Sequence, residues 1–180
     1  MFTKIHTKQY SYEYKKGFTI IEALVAIFIL TVSVTALMSV VTQGIFNSSY
    51  IKNKAVAISL AQEGMELVRN IQDSALLSNE YVDFDSLASD VFSPCVSNDG
   101  VCTIDPLSLE VASCQDECPL RLSDTGYFNY TYGEVSPFTR TITMNSDTVD
   151  SGTVEVIVSW VQGNTPREVA YQSNLFLWIE

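Results

Sequence analysis

Histidine is nearly absent from this chain, whose 180 residues include a single one, His6. A Ser-His-Asp triad, a Cys-His pair and most zinc hydrolase sites require histidine. Because the single histidine lies near the amino terminus, we exclude nearly all of these catalytic sites. The eight glycines are scattered and form neither G-x-G-x-x-G nor G-x-x-x-x-G-K-[S/T], the loops that cradle phosphates. Carboxylate pairs that could hydrolyse a glycoside arise by chance in acidic segments. We therefore predict that the chain is not an enzyme and has no catalytic residues and no cofactor.

Positive charge is also scarce, because ten Lys and Arg residues stand against 21 Asp and Glu residues, for a net charge of −11. The chain begins with an excess of lysine over acid, four lysines against Glu13, which gives residues 1–17 a charge of +3 and leaves −14 on residues 18–180. Nucleic acid binds basic surfaces, so we predict no direct nucleic-acid binding. The four lysines are Lys4, Lys8, Lys15 and Lys16.

Helix breakers are missing from residues 18–41, which contain no proline, no glycine and only one charge, Glu22. A helix of this length spans about 36 Å, enough to cross a bilayer core of about 30 Å with some tilt. We favour a retained membrane helix over a cleaved secretory signal, whose apolar region is typically about 7–15 residues. The basic residues before this segment favour a cytoplasmic amino terminus and an exported remainder.

The presence of Glu22 in the apolar segment needs a physical reason, because inserting a carboxylate into a membrane costs about 2.5–3.5 kcal/mol on insertion scales. One interpretation places it at the membrane edge, where its side chain reaches water and the helix amino terminus favours negative charge. The other pairs it with a positive group, because a buried charge is stabilised mainly by a partner of opposite sign.

The residues around Glu22 favour the second interpretation. The stretch Lys15-Lys16-Gly17-Phe18-Thr19-Ile20-Ile21-Glu22 resembles the signature of type IV prepilins. The resemblance implies that a prepilin peptidase cuts between Gly17 and Phe18, and that Phe18 is then N-methylated. It also implies that Glu22 neutralises the new amine of a neighbouring subunit during filament assembly.

Residues 42–73 predict an amphipathic helix that continues the apolar one, so that residues 18 to about 73 form a single long helix. Gly44 and residues 47–49 are the weakest helical positions and a candidate bend. We expect the apolar stripe to pack as ordinary core; it comprises Ile51, Ala55, Ile58, Ala61, Met65, Val68 and Ile71.

Residues 72–125 predict an acidic loop region that holds all four cysteines. Their even number in an exported segment favours disulfides, although three connectivities are possible. The turn signal at residues 97–100 would let Cys95 and Cys102 join the arms of a small hairpin, which leaves Cys114 with Cys118. Zinc is the rival ligand, but the spacing is not knuckle-like and no histidine is close, so we predict no metal site.

Two further patterns in this part of the chain are weak. The acids could bind calcium, but they show no ordered ligand ladder, and solvated surface acids are the favoured interpretation. Asn47 and Asn129 begin short N-glycosylation patterns that recur by chance. The acids are Asp83, Asp85, Asp90, Asp99, Asp105, Asp116 and Glu117.

Residues 126–180 predict three or four antiparallel strands in meander order, because alternating β-branched and aromatic segments are separated by turn-prone residues. The strand segments are 126–132, 138–144, 153–160 and 168–178, and the turns are 133–137, 145–152 and 162–166. A sheet with one apolar face packs on a helix with one apolar face. The fold class is therefore α+β, and this architecture resembles type IV pilins. The C-terminal strands resemble the minor pilins and minor pseudopilins of the PilV-like branch.

The predicted organisation is a leader (1–17), a membrane or filament-core helix (18–41), an amphipathic helix (42–73), a cysteine-containing acidic region (72–125) and a sheet (126–180). The resemblance implies a filament subunit that waits as a single-pass protein in the cytoplasmic membrane and then enters an extracellular or periplasmic filament. Its expected partners are other pilin or pseudopilin subunits, the prepilin peptidase, membrane lipid and assembly platform proteins. The alternatives are a minor pseudopilin of type II secretion or DNA uptake, and a membrane-anchored binding domain that never polymerises.

Overall fold

The computed structural model describes residues 17–78, 81, 83–96 and 100–176. The chain forms two compact units, residues 1–46 and 47–180. Several predicted features lie outside the described residues: most of the leader with its lysines and His6, the turn residues 97–99, and the last strand residues around Trp178.

Helix α1 spans Ile20–Ser78 and contributes to both units. No proline occurs before Pro94, so the helical hydrogen-bond ladder meets no residue that lacks a backbone N–H. Gly44 and residues 47–49, predicted as a candidate bend, are helical, and the two units divide between Phe46 and Asn47. The helix ends five residues beyond the predicted residue 73.

In unit 47–180 the described residues form an antiparallel sheet whose largest part is a three-stranded meander. Strands β5 (Glu134–Thr148), β6 (Ser151–Gln162) and β7 (Thr165–Phe176) pair in sequence order. In this register Phe138 lies opposite Trp160, which lies opposite Arg167. The α+β, pilin-like fold class with a C-terminal antiparallel meander is confirmed.

Four short strands extend the sheet on the other side of β5. Strands β1 and β3 both pair with β5, β2 pairs with β1, and β4 pairs with β3. Three of them, with two short helices, lie within residues 72–125, which were predicted as a loop region. The elements are α2 (Phe84–Asp90), α3 (Ser93–Val96), β1 (Cys102–Ile104), β2 (Val111–Ser113), β3 (Pro119–Leu122) and β4 (Phe128–Asn129).

A turn was predicted at residues 133–137, but strand β5 begins at Glu134, so residues 134–137 belong to the strand. The β3–β5 register shifts between Pro119 and Arg121, and the β5–β6 ladder begins at Phe138. Pro137 therefore lies at an irregularity where no ladder pair includes it, the position in a sheet that tolerates a residue without a backbone N–H.

The core of this unit lies between the C-terminal half of α1 and the inner face of the sheet. Every second residue of β6 from Gly152 to Trp160 is buried, as alternation predicts. Gly64 allows close approach of helix and sheet, because a Cβ there would lie 2.9 Å from Val156 Cγ1. Of the predicted apolar stripe, Ala61, Met65 and Val68 are buried and Ile71 is half-buried. The prediction is wrong for Ile51, Ala55 and Ile58, which are exposed, because Ala57 and Leu60 form the inward face there.

Candidate functional site

The segment that carries the prepilin-like sequence forms the start of α1. Gly17, Phe18 and Thr19 precede the helix, and Glu22 lies in its first turn. The backbone N–H of Glu22 donates a 3.3 Å hydrogen bond to Thr19 Oγ1. Thr-x-x-Glu at a helix start is the sequence of a capping box, in which the hydroxyl satisfies one of the free N–H groups of the first turn.

The carboxylate of Glu22 is exposed and, within the part of the chain that the structure describes, accepts no hydrogen bond and forms no ion pair. Only its backbone N–H takes part in the cap. Phe18 is 75% exposed, so neither side chain of the predicted assembly pair has a partner among these residues. The negative charge is therefore available to a positive group that another molecule supplies.

The rest of this unit is exposed and mostly apolar. All residues from Gly17 to Ser49 are exposed except Ala23, which is half-buried. Among the described residues, Ile20–Ser78 is the one helix whose length and composition would allow it to cross a membrane. An apolar surface this large needs lipid or other protein around it, because exposed apolar patches of soluble monomers rarely exceed a few hundred Å².

Both disulfides pair in the way that the turn signal favoured. Cys95 in α3 joins Cys102 in β1 with a Cα–Cα distance of 4.8 Å, and Cys114 joins Cys118 across 6.0 Å. The prediction of disulfides is confirmed, and the cysteines are accordingly not zinc ligands. The first bridge is buried and ties α3 to the sheet, whereas the second is half-exposed and closes the connection from β2 to β3.

Arg140 is fully buried between the helix and the sheet. Its Nη1 donates to Leu60 O at 3.3 Å and to Glu63 Oε2 at 2.9 Å, and Nη2 donates to Ile104 O at 3.1 Å. The ring of Tyr130 lies 5.7 Å from the guanidinium carbon, and its hydroxyl donates to Arg140 O. Burial raises the pKa of the Tyr130 phenol. One charged side chain thus fixes the helix, β1 and β5 together.

Asp105 was predicted among the solvated acids, but it is only 7% exposed. Oδ1 accepts from the N–H of Leu107 at 2.8 Å, and Oδ2 accepts from Tyr130 N–H and the Thr131 hydroxyl at 3.0 and 2.9 Å. Burial by itself raises the pKa of Asp105, but these hydrogen bonds, with that from Ser108 N–H, outweigh it and hold the pKa below its usual range. Its oxygens thus organise the loop around them.

Asp83, Asp85 and Asp90 make local hydrogen bonds, whereas Asp116 and Glu117 are exposed. Asp83 caps α2 by accepting from Ser86 N–H at 2.7 Å, and this hydrogen bond lowers the pKa of Asp83. Asp85 accepts from the Ser146 hydroxyl. Among the described residues, no group of three His, Cys, Asp or Glu side chains could hold a metal ion. Asp99 lies outside these residues.

The possible glycosylation site at Asn129 has a structural role instead. Asn129 is fully buried, and its Oδ1 accepts from the backbone N–H groups of Thr131 and Tyr132 at 2.9 and 2.8 Å. This is an Asx turn, in which an asparagine side chain replaces a backbone acceptor. Asn47, in the other short pattern, lies on exposed helix.

Sequence reasoning missed two features that the sequence does signal. Arg140 occupies an inward position of the alternation Phe138, Arg140, Ile142, Met144, so a buried cation could have been predicted from the two-residue period. The Thr19 cap could have been predicted from its spacing to Glu22.

A protein-family model described as the prokaryotic N-terminal methylation motif matches residues 14–38. No curated protein and no solved structure matches the chain. The matched residues include Gly17, Phe18 and Glu22, and the motif is consistent with a type IV pilin-like or pseudopilin-like precursor, whose family is structural and not catalytic. Such a motif implies interaction with other pilin subunits and with a prepilin peptidase, and the apolar helix with the motif indicates membrane anchoring and export of the C-terminal unit.

Proposed function

We propose, from the N-terminal methylation motif that this chain carries, that it is the precursor of a minor subunit of a type IV pilus-like filament. The peptidase cuts between Gly17 and Phe18, and Phe18 is N-methylated. The subunit waits in the cytoplasmic membrane, where lipid surrounds residues 18–41, and assembly platform proteins then transfer it into the filament. It is a structural protein and performs no catalysis.

The single observation that supports this function best is the motif match to residues 14–38. The exposure of Glu22 adds to it, because the carboxylate has no partner within the described residues. Cleavage would create a cationic amine at Phe18, and two opposite charges in an apolar bundle stabilise each other where each alone is strongly unfavourable.

The proposed pair also sets the stagger between subunits. Phe18 and Glu22 are separated by four residues, about 6 Å along a helix axis. Two parallel helices that are displaced along the filament axis can bring the Glu22 carboxylate of one subunit to the Phe18 amine of the next. The apolar packing supplies most of the attraction, and the ion pair selects one register among several that apolar side chains would allow.

Processing is tested first, because every later step depends on it. Mass spectrometry of membrane-extracted protein is expected to show a chain that begins with methylated Phe18. In Gly17→Leu the leader is expected to remain, which gives an unshifted gel band, because a branched side chain replaces the bare backbone at the peptidase site. A wild-type chain that retains Met1 would leave a membrane-anchored binding domain as the better description.

Assembly is tested with Glu22→Ala. We expect normal cleavage and at least tenfold less of the variant in sheared filaments, because the amine of the neighbouring subunit loses its counter-charge. Incorporation at the wild-type level would refute the registering role. A chain that is processed but recovered only from a secretion pseudopilus would show the same chemistry in that machine, the minor pseudopilin alternative.

A further inference from the structure

Basic residues are few in unit 47–180, and their distribution is uneven. The unit contains six Lys and Arg residues against nineteen Asp and Glu residues. Arg140 is buried against Glu63, and Arg69 pairs with Glu66 on the helix surface. Four basic residues remain, and two of them lie over the same aromatic ring. The four are Lys52, Lys54, Arg121 and Arg167.

That ring belongs to Tyr50. Lys54 Nζ lies 5.9 Å and the Arg167 guanidinium carbon 5.4 Å from the ring centroid. Lys54 and Arg167 are exposed, and within the described residues neither forms an ion pair with a carboxylate. Tyr50 is half-buried and packs 6.4 Å from the ring of Trp160. We name Tyr50, Lys54 and Arg167 the basic cluster.

The basic cluster is unusual for its charge. Two like charges approach one ring in a unit whose net charge is strongly negative, although nineteen acids were available as counter-ions. The ring face offsets part of the repulsion through cation–π attraction. Both cations keep unused N–H donors, so an anion placed beside the ring would interact with two positive groups at once.

The position of the basic cluster in the sequence, just after the apolar unit, indicates which anion it meets. Tyr50 follows Phe46, the last residue of the apolar unit, by four residues. Flanks on the exported side of a membrane helix are usually poor in Lys and Arg, so two lysines at positions 52 and 54 run against that bias. Tyrosine, by contrast, is enriched where a helix leaves the hydrocarbon and enters the headgroup layer.

We propose that the basic cluster binds the phosphate headgroups of anionic phospholipids on the exported face of the membrane. This rests on the membrane insertion in the proposed function. The Arg167 guanidinium is suited to two parallel hydrogen bonds with phosphate oxygens, and Lys54 supplies a second, point-like charge. The cluster gives an otherwise acidic unit one attractive contact with a negatively charged surface before the subunit leaves the membrane.

The test uses the full chain in lipid nanodiscs of phosphatidylcholine, with or without phosphatidylglycerol. Lys52 and Lys54 are the only lysines beyond the leader, so their modification by a membrane-impermeant amine reagent can be measured by peptide mass spectrometry. We expect Lys54 to react severalfold more slowly in the anionic discs than in the neutral ones. Arg167→Gln and Tyr50→Leu should each remove most of that difference. In Arg121→Lys, the amine introduced on β3 serves as the control and should react equally in both discs.

Each other result overturns the lipid site. Equal reaction of Lys54 in both discs would show that no headgroup covers it. Slower reaction that persists in Arg167→Gln would indicate only the general surface potential. Slower reaction in neutral discs that increases with the number of chains per disc would indicate the acidic surface of a second copy. A chain that alkaline washing releases from membranes would refute membrane insertion as well, whereas an inserted chain with equal labelling refutes the lipid site alone.

Discussion

Arg140 Nη1 lies 2.9 Å from Glu63 Oε2, and this ion pair joins strand β5 to helix α1. An ion pair of the same length exists on the helix surface, between Arg69 and Glu66. The two glutamates are three residues apart, but the arginine side chains are 0% and 41% exposed. The glutamates are 42% and 69% exposed, so the first pair has one fully buried member and the second pair has none.

Glu63→Gln is expected to lower the free energy of unfolding by about 1–2 kcal/mol, because the buried Arg140 loses its counter-charge while water already screens the partly exposed Glu63. Glu66→Gln, the matched control, should cost less than about 1 kcal/mol, since water screens the exposed pair. Urea unfolding of residues 47–180, followed by near-ultraviolet circular dichroism, measures both. Equal losses would mean that Arg140 is held by its two carbonyl acceptors and not by Glu63.

Asp105→Asn tests the loop that Asp105 organises. The amide cannot accept all the hydrogen bonds of the carboxylate, so we expect a loss of about 2 kcal/mol at pH 7. The pKa of Asp105 is lower in the folded than in the unfolded chain, whose value is about 3.9. Its charge therefore stabilises the fold above that pH, and the stabilisation is lost as the pH falls through the folded pKa.

The wild type and Asp105→Asn should thus converge in stability when unfolding is measured from pH 7 down to about pH 2. Asp116→Asn is the control, because Asp116 is exposed and its carboxylate accepts no hydrogen bond within the described residues. A constant difference across this range would show that Asp105 contributes by its shape and not by its charge.

The long helix and the C-terminal strands could be predicted from the sequence, whereas the short strands and the buried acid depend on contacts between residues distant in the chain. The long helix and the meander were predictable because their periods of about 3.6 and 2 persist over many residues. Strands β1–β3 were not, because each has three or four residues and exists through pairing with β5 or with each other. The burial of Asp105 was not predictable either, because its Oδ2 accepts hydrogen bonds from Tyr130 and Thr131, which lie about 25 positions later in the sequence.

The two disulfides are expected to contribute unequally. Loop closure gives each about 2 kcal/mol, because their separations of seven and four residues are similar. Cys95 and Cys102 are also buried, so their removal leaves a cavity that adds about 1–2 kcal/mol. The urea midpoint of Cys95→Ala/Cys102→Ala should fall further than that of Cys114→Ala/Cys118→Ala, and the reverse order would contradict a core role for the first bridge.

Assembly can depend on the capped start of the helix or on the charge of Glu22, and variants of the first helical turn separate the two. If it depends on the cap, Thr19→Ala should impair filament incorporation as much as Glu22→Ala does, because Thr19→Ala removes the hydroxyl that accepts from the Glu22 N–H, at a cost of about 1 kcal/mol. If it depends on the charge, Glu22→Gln should impair incorporation, because glutamine keeps the backbone N–H of the cap but cannot neutralise an amine. We expect a loss of at least tenfold in Glu22→Gln and nearly wild-type incorporation in Thr19→Ala, measured by immunoblot of sheared filaments with cleavage as the internal control. Normal incorporation of Glu22→Gln would refute the ion pair, and impaired incorporation of Thr19→Ala would assign the effect to the helix cap.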